Sequence, residues 1–309
     1  MHLLTSAVVA QSEEIFILRH ERVRMQFLVL GVLDAGLLIL TTLGFALVNR
    51  VNKFLNIAHA ELIHVGALTT WYLSVPLHLN FALAAVIAVA VTALFGLALG
   101  SLVFDPILKQ PTEVLFIVSV GVAFFFHGLA DALVSPAAKS FSLPALASWT
   151  LGSVLISPYQ LGILIAALLV VFLLHLFLTR TPSGSAVRAI SSNRELAEIR
   201  GIKVRKASRQ VWLISSGLAG LAGVALGMVG TLTNDLPFNQ MLLILTVAVL
   251  AGLGSIYGVV AAAFLVAIAM DVSTNWISPG WQNAVAFLIV MMVLTFRSQG
   301  LFGVVRRIA

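Results

Sequence analysis

Long apolar stretches separated by short polar segments dominate the chain from residue 27 onward. They fall at 27–48, 54–75, 80–104, 114–134, 158–179, 210–232, 241–256, 257–276 and 282–296. Most prolines stand at the ends of these stretches, where a missing backbone donor costs least. A helix of about 20 apolar residues crosses a hydrocarbon layer roughly 30 Å thick, and lipid excludes open sheet edges. The pattern predicts an all-α polytopic membrane protein, a bundle of about eight or nine transmembrane helices.

The composition excludes a soluble protein. Apolar residues make up 60% of the chain, charged residues only 10%, and the mean hydropathy is +1.07. Soluble domains carry about 25% charged residues. The absence of cysteine excludes disulfides, Cys-ligated metals and thiol nucleophiles. The net charge of +6 would suggest nucleic acid in a soluble protein, but in a membrane protein Lys and Arg mark the cytoplasmic face, so we expect contact with membrane lipid and not with nucleic acid.

Basic residues fall into four segments that predict the topology. Arg50 and Lys53 follow the first stretch, Lys109 follows the third, eight more basic residues lie in 180–209, and three lie at the C-terminus. Placing all four segments in the cytoplasm puts 14 of the 18 basic residues there, whereas the opposite segments contain only Lys139. This arrangement requires nine crossings with the N-terminus outside. A re-entrant half-helix within 54–75 or 241–276 would give an even number instead.

The same pattern predicts the organisation of the chain. Residues 1–26 form an N-terminal lead-in without a good secretory signal, because their apolar stretch is short and no basic residue precedes it. Residues 27–303 form a single transmembrane domain that contains the basic loop 180–209. Residues 304–309 form a short basic tail.

Two glycine-rich segments predict close packing and a turn. In the sixth stretch Gly220, Gly223 and Gly227 recur at three- and four-residue spacing, which lets another helix approach closely. The second segment joins two apolar stretches and contains Gly252, Gly254, Ser255 and Gly258. It lacks the Lys-Ser/Thr of a phosphate-binding loop, so we expect any ATP hydrolysis to occur in a partner.

Motifs of enzymes are absent from the sequence. It contains no HExxH, no paired Cys/His spacing typical of metal sites, and no Gly-x-Ser-x-Gly elbow. The seven histidines are scattered singly, and His127 and His175 are interpreted as packing residues because they lack partners in the sequence. The sequence therefore predicts neither an enzyme nor a metal site.

The basic loop contains a short amphipathic pattern. Leu196, Ile199 and Ile202 repeat at helical spacing beside charged positions, which predicts a short helix that ends near Gly201. Such a helix either lies on the lipid surface or docks into a groove of a soluble partner. The pattern alone favours neither.

Four blocks of the sequence resemble a known family. Residues 195–201, Glu-Leu-Ala-Glu-Ile-Arg-Gly, resemble the Glu-Ala-Ala-x-x-x-Gly coupling motif of ABC importer permeases. Residues 55–67, 252–258 and 296–303 resemble signatures of the branched-chain amino acid permease family. The blocks follow the family's order along most of the chain. Asn49 and Ala60 stand where glycine is usual and Ser298 where proline is usual; these departures bear on the substrate and not on the family.

The resemblance implies a permease subunit of an ATP-binding cassette importer in the bacterial inner membrane, with the 180–209 loop and the C-terminus cytoplasmic. Its substrates would be branched-chain amino acids or a similar small polar solute, such as urea. The implied partners are a second, related permease subunit in a heterodimer, two cytoplasmic ATPase subunits and an extracytoplasmic solute-binding protein. No cofactor is expected on this chain, since ATP and Mg²⁺ would bind the ATPases. Coupling to the ATPase is expected at Arg194, Glu195, Ala197, Gly201 and Ile202.

Three polar residues of the second stretch are candidates for the translocation path. Asn56, His59 and Glu61 lie at membrane depth, where polar groups are costly and usually face a cavity or a partner. Structural hydrogen bonding between helices is the equally weighted alternative. His59 and Glu61 are two residues apart, so on a helix they point to different sides and are not expected to form one acid/base pair.

An ATP-independent secondary transporter or channel is the alternative function. It would show inverted repeats and charged midplane residues that couple to an ion. The sequence shows no convincing repeat and few central charges.

Overall fold

A computed structural model of the chain describes the backbone of residues 2–151, 154–297 and 300–302, and the side chains of 25–150, 154–297 and 300–302. Part of the C-terminal signature (Ser298, Gln299 and Gly303) and the tail 304–309 lie outside the described residues. The helices of the described part are α1 His2–Asn52, α2 His59–Ser74, α3 Phe81–Leu99, α4 Asp105–Ile107, α5 Thr112–Leu133, α6 Pro158–Arg180, α7 Pro182–Ser192, α8 Arg194–Ile199, α9 Val204–Val229, α10 Leu236–Ala251, α11 Ile256–Ser273 and α12 Gln282–Phe296. The all-α fold class is confirmed.

Short irregular elements complete the bundle. A π-helical segment, Gly100–Phe104, joins α3 to α4, and a 3₁₀ turn, Pro279–Trp281, precedes α12. Two short strands, β1 Trp149–Leu151 and β2 Val154–Ile156, pair antiparallel in the loop between α5 and α6. These elements do not change the helical character of the domain.

Within the described ranges, seven helical segments are long and apolar enough to cross a membrane. They are Met25–Asn52, Phe81–Ile107, Thr112–Leu133, Pro158–Arg180, Val204–Val229, Ile256–Ser273 and Pro279–Phe296. Two further helices, α2 and α10, have only 16 residues each. Each is about 24 Å long, shorter than a hydrocarbon layer of roughly 30 Å. They overlap the two stretches in which a re-entrant half-helix is the predicted alternative.

Contacts between loops define one face of the bundle, which we call the outer face. The Gln26 side chain donates to Leu155 O (3.0 Å) and accepts from Leu155 N (2.8 Å). The backbones of Lys139 and Leu232 bond to each other at 2.9 and 2.7 Å. The start of the α1 span, the loop between α5 and α6, and the start of α10 therefore lie together.

Other contacts define the opposite face, which we call the basic face. Arg209 Nε donates to Asp105 Oδ2 (2.9 Å), which joins α4 to the first turns of α9. Leu301 N donates to Leu250 O (2.7 Å), which joins the C-terminal segment to the end of α10. Ser208 Oγ donates to Asn52 Oδ1 (3.1 Å), and a Cβ atom on Gly254 would lie 3.2 Å from Arg50 Cα. The ends of α1 and α10, the start of α9 and the α4 segment therefore lie on one face.

Small residues allow the closest contacts of the core, where α9 packs against α1, α2 and α3. A Cβ atom on Gly223 would lie 2.2 Å from Ile63 O, and one on Gly66 would lie 2.6 Å from Gly220 Cα. The backbones of α2 and α9 therefore touch, which is the packing that glycines allow between membrane helices. Gly227 lies one turn further along α9, and its Cβ would meet the Phe141 ring at 2.3 Å.

The chain immediately before α2 is not helical, although it lies within the bundle. Asn49 Nδ2 donates to Phe54 O (3.0 Å). Ser119 Oγ accepts from Ile57 N (3.2 Å) and donates to Leu55 O (3.1 Å). Ser119 is two turns after the start of α5, so this segment lies about 10 Å from that start along the helix axis, toward the interior of the bundle. Irregular backbone is tolerated at membrane depth where protein groups satisfy it, and these two side chains do so.

Candidate functional site

Asn56 and His59 are buried where the non-helical segment meets α1. Asn56 is 1% exposed, and both polar atoms of its amide lack a hydrogen-bond partner in the described part of the chain. His59 is fully buried, and its Nε2 lies 3.1 Å from Thr41 O. Its ring meets that of Phe45 edge-on. His59 therefore faces α1, whereas the amide of Asn56 is buried without a partner among the residues that the structure describes.

Glu61 begins a chain of polar groups that connects α2 to α5. Its carboxylate oxygens lie 3.3 Å from His127 Nδ1 and 3.9 Å from His64 Nδ1. His127 Nε2 lies 3.7 Å from Asp131 Oδ2, and Asn234 Nδ2 donates to Asp131 Oδ1 (2.7 Å). The chain of groups runs toward the outer face. Glu61 faces α5 and His59 faces α1, so the two do not meet.

The sequence did not predict the pairing of Glu61 with His127. The sequence predicts a packing role for His127, because it indicates no partner for this residue. The only local signal was the spacing of His127 and Asp131, which places them on one face of a helix. The contact with Glu61 joins residues far apart in the chain, and no periodicity could show it.

A cavity of about 320 Å³ opens between α2, α5 and α10 beside Glu61 and His127. Sites for small molecules typically have volumes of roughly 300–1,000 Å³. Its other walls are apolar and include Ile57, Val120, Phe124, Met241, Leu242 and Leu245. A second cavity of about 280 Å³ has Glu61 and His64 in its wall. An apolar chamber with a single carboxylate suits a small molecule that has an aliphatic part and a cationic group.

The 180–209 loop contains the predicted short helix, now seen as α8. Asn193 caps its start, because the Asn193 side chain accepts from Leu196 N (3.0 Å). Gly201 ends it with a φ of +79°, a conformation that favours glycine. Ile202 N then donates to Ala197 O (3.0 Å). The helix covers Arg194–Ile199, so it ends two residues before Gly201 and does not include Ile202.

The residues expected to couple to the ATPase point in different directions. Ala197 is 4% exposed and faces the bundle, and Ile202 is half-buried. Glu195 is exposed, and Arg194 Nε lies 3.5 Å from Glu198 Oε1 on the surface. The apolar side chains that project outward are the neighbouring pair Leu196 and Ile199, 50% and 81% exposed. A capped helix that exposes two large apolar side chains has the form of a docking element.

The second glycine segment forms the turn between α10 and α11 on the basic face. Gly252 and Gly254 adopt positive φ angles of +85° and +82°. Ser255 Oγ accepts from Gly258 N (3.1 Å) and caps α11. A Cβ on Gly258 would lie 2.5 Å from Ala251 O, so the turn is tightly closed.

Two acidic residues inside the bundle have amide partners near the outer face. Gln160 Nε2 donates to Asp34 Oδ1 (2.9 Å), and Gln282 Nε2 donates to Asp271 Oδ1 (3.1 Å). These bonds tie α1 to α6 and α11 to α12. Among the side chains that the structure describes, no group of three or more His, Asp or Glu residues is placed to hold a metal ion.

Comparison with known proteins gives one consistent result. The family described as the permease component of the branched-chain amino acid transport system matches residues 27–295. The permease protein BraD of the high-affinity branched-chain amino acid transport system of Pseudomonas aeruginosa is 27% identical over 297 residues, which cover 90% of this chain and 95% of BraD. The corresponding LivH protein of Escherichia coli K12 is 24% identical over 289 residues, 88% of this chain and 93% of LivH. A probable LivH of Methanocaldococcus jannaschii is 24% identical, with 89% and 91% covered. No solved structure matches significantly.

Proposed function

Because the chain belongs to the family of branched-chain amino acid transport permease components, we propose that it forms part of the path by which an ATP-driven importer moves branched-chain amino acids or a similar small polar solute. Its partners are a second, related permease subunit, two ATPase subunits that bind ATP and Mg²⁺, and an extracytoplasmic solute-binding protein. The basic face lies in the cytoplasm, because positively charged loops are retained there. As a subunit of such an importer, the chain lies in the bacterial inner membrane.

The helix α8 is the observation that carries this proposal. It lies on the basic face and exposes Leu196 and Ile199. Its backbone is held by a cap at each end, and Ala197 anchors it to the bundle. An exposed apolar ridge on a fixed helix is costly in water and is covered when it enters a groove on a partner. The ATPase subunit is the partner that supplies such a groove.

The contacts of α8 provide a route from the ATPase to the candidate path. α8 packs against α7 and α9, and α9 packs against α2. The contact between α9 and α2 is a backbone contact at Gly220 and Gly66, so α2 follows movements of α9. α2 carries Glu61 into the wall of the 320 Å³ cavity. Closure of the ATPase pair would thus change the cavity through rigid elements in direct contact.

The cavity supports the choice of substrate class. The Glu61 carboxylate is 9% exposed, and the surrounding walls are apolar. A buried carboxylate attracts a cationic amino group, and apolar walls favour an aliphatic side chain over a polar one. A branched-chain amino acid has both features, whereas urea has neither.

Co-purification tests the proposal. The full-length chain is purified from its native membrane in mild detergent, as wild type and as the double variant Leu196→Glu, Ile199→Glu. We expect wild type to capture two ATPase subunits and the variant to lose them, because both substitutions place charge on the docking ridge. Leu253→Glu is the control, since Leu253 is also an exposed leucine (53%) in the turn on the basic face but lies outside α8.

The outcomes separate the alternatives. If wild type purifies without ATPases and transports without ATP after reconstitution, the chain is a secondary transporter and the proposal is wrong. If the α8 variant and the Leu253 control lose the ATPases equally, α8 is not the docking element.

A further inference from the structure

A second, larger cavity opens on the basic face beside α8. Its volume is about 710 Å³, more than twice that of the cavity at Glu61. It lies between the end of the α3–α4 segment, the helix α8 and the first turns of α9, and both Arg194 and Glu198 of α8 contribute to its wall. Nothing in the proposed transport path uses it.

The wall of this cavity carries a large excess of positive charge. Its basic residues are Lys109, Arg194, Lys203, Arg205, Lys206 and Arg209, and its acidic residues are Asp105 and Glu198. Each acidic residue is already occupied by one arginine: Arg209 lies 2.9 Å from Asp105, and Arg194 lies 3.5 Å from Glu198.

The other four cations of the wall have no counter-ion within the part of the chain that the structure describes. They are Lys109, Lys203, Arg205 and Lys206, and all four side chains are exposed. They come from two separate segments of the chain, which the fold brings to one concave surface. Like charges held together in this way repel one another unless an anion joins them, so the cavity attracts a ligand with concentrated negative charge.

The inner part of the cavity is apolar and faces the membrane. Leu97 lies two turns before Asp105 along the α3–α4 segment, and Leu213 lies one turn beyond Arg209 on α9. Both leucines therefore lie deeper in the membrane than the charged rim, and Leu213 is 38% exposed. The helices α3 and α9 pack against each other beside these leucines.

We propose that this cavity binds the phosphate headgroup of an anionic phospholipid, with an acyl chain along the surface where α3 meets α9. Basic pockets between helices at the cytoplasmic membrane boundary are suited to such headgroups. An inorganic phosphate would use the cations but not the leucines. An acidic protein segment would not reach lipid-exposed residues such as Leu213, which is why lipid fits better.

The position of the cavity gives the lipid a consequence for α8. Arg194 and Glu198, which pair on the surface of α8, also line the cavity. A bound phosphate competes with Glu198 for Arg194 and so attaches α8 to the membrane boundary. The lipid therefore sets the orientation of the helix that exposes Leu196 and Ile199.

Native mass spectrometry of the full-length chain tests this site. Phosphatidylglycerol and phosphatidylcholine with identical acyl chains are titrated separately into the purified protein. The variant is Lys109→Gln, Lys206→Gln, and the matched control is Arg180→Gln, Arg297→Gln, which removes two exposed basic side chains on the same face away from the cavity. We expect wild type and control to retain phosphatidylglycerol in preference to phosphatidylcholine, and the cavity variant to bind phosphatidylglycerol about tenfold more weakly.

Three results would overturn the proposal. Equal retention of both lipids by wild type would show that charge does not select the ligand. Equal weakening in the cavity variant and the control would show that the whole face, and not this cavity, attracts anions. Complete displacement of phosphatidylglycerol by millimolar inorganic phosphate or by a bound ATPase pair would assign the cavity to free phosphate or to a protein partner. Retention in the presence of both supports the lipid, and thermal unfolding of each variant confirms that it is folded.

Discussion

The helices α9 and α5 have similar hydropathy but opposite roles in the packing. The most apolar 18-residue segment of α9 has a mean hydropathy of 1.7, and 61% of it is buried inside the bundle. The corresponding segment of α5 has a mean hydropathy of 2.0, but only 11% of it is buried. In water the more apolar helix would be the more buried one. In a membrane hydropathy does not decide which helix is buried, because lipid tails are as apolar as leucine. Burial within the membrane depends instead on how closely backbones can approach.

The space around the glycines of α9 and α5 shows how closely each helix approaches its neighbours. In α9 the Cβ positions of Gly220 and Gly223 are occupied by neighbouring helices, whereas those of Gly121 and Gly128 in α5 have no atom within 4 Å. The helices α1, α2, α3, α9 and α11 form a closely packed core, and α5 lies loosely against it. Since Glu61 belongs to the core and His127 to α5, the candidate path lies at the seam between the fixed and the loosely packed part.

The largest effect is expected when the close backbone contact in α9 is blocked. Gly223→Leu forces α2 away from α9, because even a Cβ would lie 2.2 Å from Ile63 O. We expect a loss of about 3 kcal/mol or more in the free energy of unfolding. Gly128→Leu in α5 is the control and should change it by less than about 0.5 kcal/mol. Denaturant titration in detergent measures both, and equal losses would refute the distinction between the two helices.

A buried aromatic contact of the core gives the next largest effect. Trp212 on α9 is fully buried and stacks on Phe104 at 5.0 Å, whereas Phe124 on α5 is 73% exposed. Trp212→Ala should destabilise the protein by about 2–3 kcal/mol. The loss comes from van der Waals packing, which stabilises helices also where lipid and not water surrounds the bundle. Phe124→Ala should cost less than about 1 kcal/mol. If Phe124→Ala lowered the free energy of unfolding by more than this in the same titration, α5 would be closely packed against the other helices of the isolated chain.

At the seam, removal of the Glu61 charge should affect transport more than stability. Glu61→Gln keeps the size of the side chain and a hydrogen bond to His127, but it removes the attraction for a cationic amino group. We expect leucine uptake by the reconstituted complex to fall about tenfold, equivalent to about 1.4 kcal/mol. Glu113→Gln, at an exposed residue in the first turn of α5, should leave uptake unchanged. Unchanged uptake in Glu61→Gln would remove this carboxylate from the path.

Loss of the two hydrogen bonds made by Ser119 should have a local effect on stability. Ser119→Ala leaves Ile57 N and Leu55 O without their partner, which costs about 1–2 kcal/mol. Hydrogen exchange at the Ile57 amide should become faster than in wild type. Thr295→Ala removes an exposed bond within one helix (2.8 Å to Met291 O) and should alter neither stability nor exchange at Ile57. Unaltered exchange in Ser119→Ala would show that α5 does not hold this segment.

The smallest effect is expected on the surface of α8. Glu198→Gln breaks the ion pair with Arg194, in which the side chains are 50% and 31% exposed. Exposed pairs of this spacing contribute about 0.3–0.5 kcal/mol, so thermal unfolding should barely change. A loss above about 1 kcal/mol would mean that α8 is an integral part of the core.

The positions of the helices along the chain could be predicted because their causes are local in the sequence. Each of the nine apolar stretches corresponds to one helix, and the charged loops share the faces expected of them. The boundaries of α2 and α8 could not be predicted as well. The apolar segment before α2 is held out of a helix by Asn49 and Ser119, and the latter comes from α5. α8 ends at Ile199, two residues before Gly201 with its positive φ.

The candidate site was predicted only in part, for the same reason. Polar residues at membrane depth drew attention to Glu61, because such residues are costly there. Its partner His127 and the cavity between them arise from the packing of α2, α5 and α10, which depends on distant contacts. The large basic cavity likewise combines Lys109 with the 203–209 segment, and charge alone could not distinguish it from a solvated loop.

ATP-dependent uptake tests the central claim most directly. The chain is reconstituted into liposomes with the ATPase and permease subunits that co-purify with it, and the solute-binding protein and labelled leucine are added outside. We predict that leucine accumulates only when ATP is enclosed in the lumen, on the side of α8. Accumulation without ATP, or by this chain alone, would contradict the account.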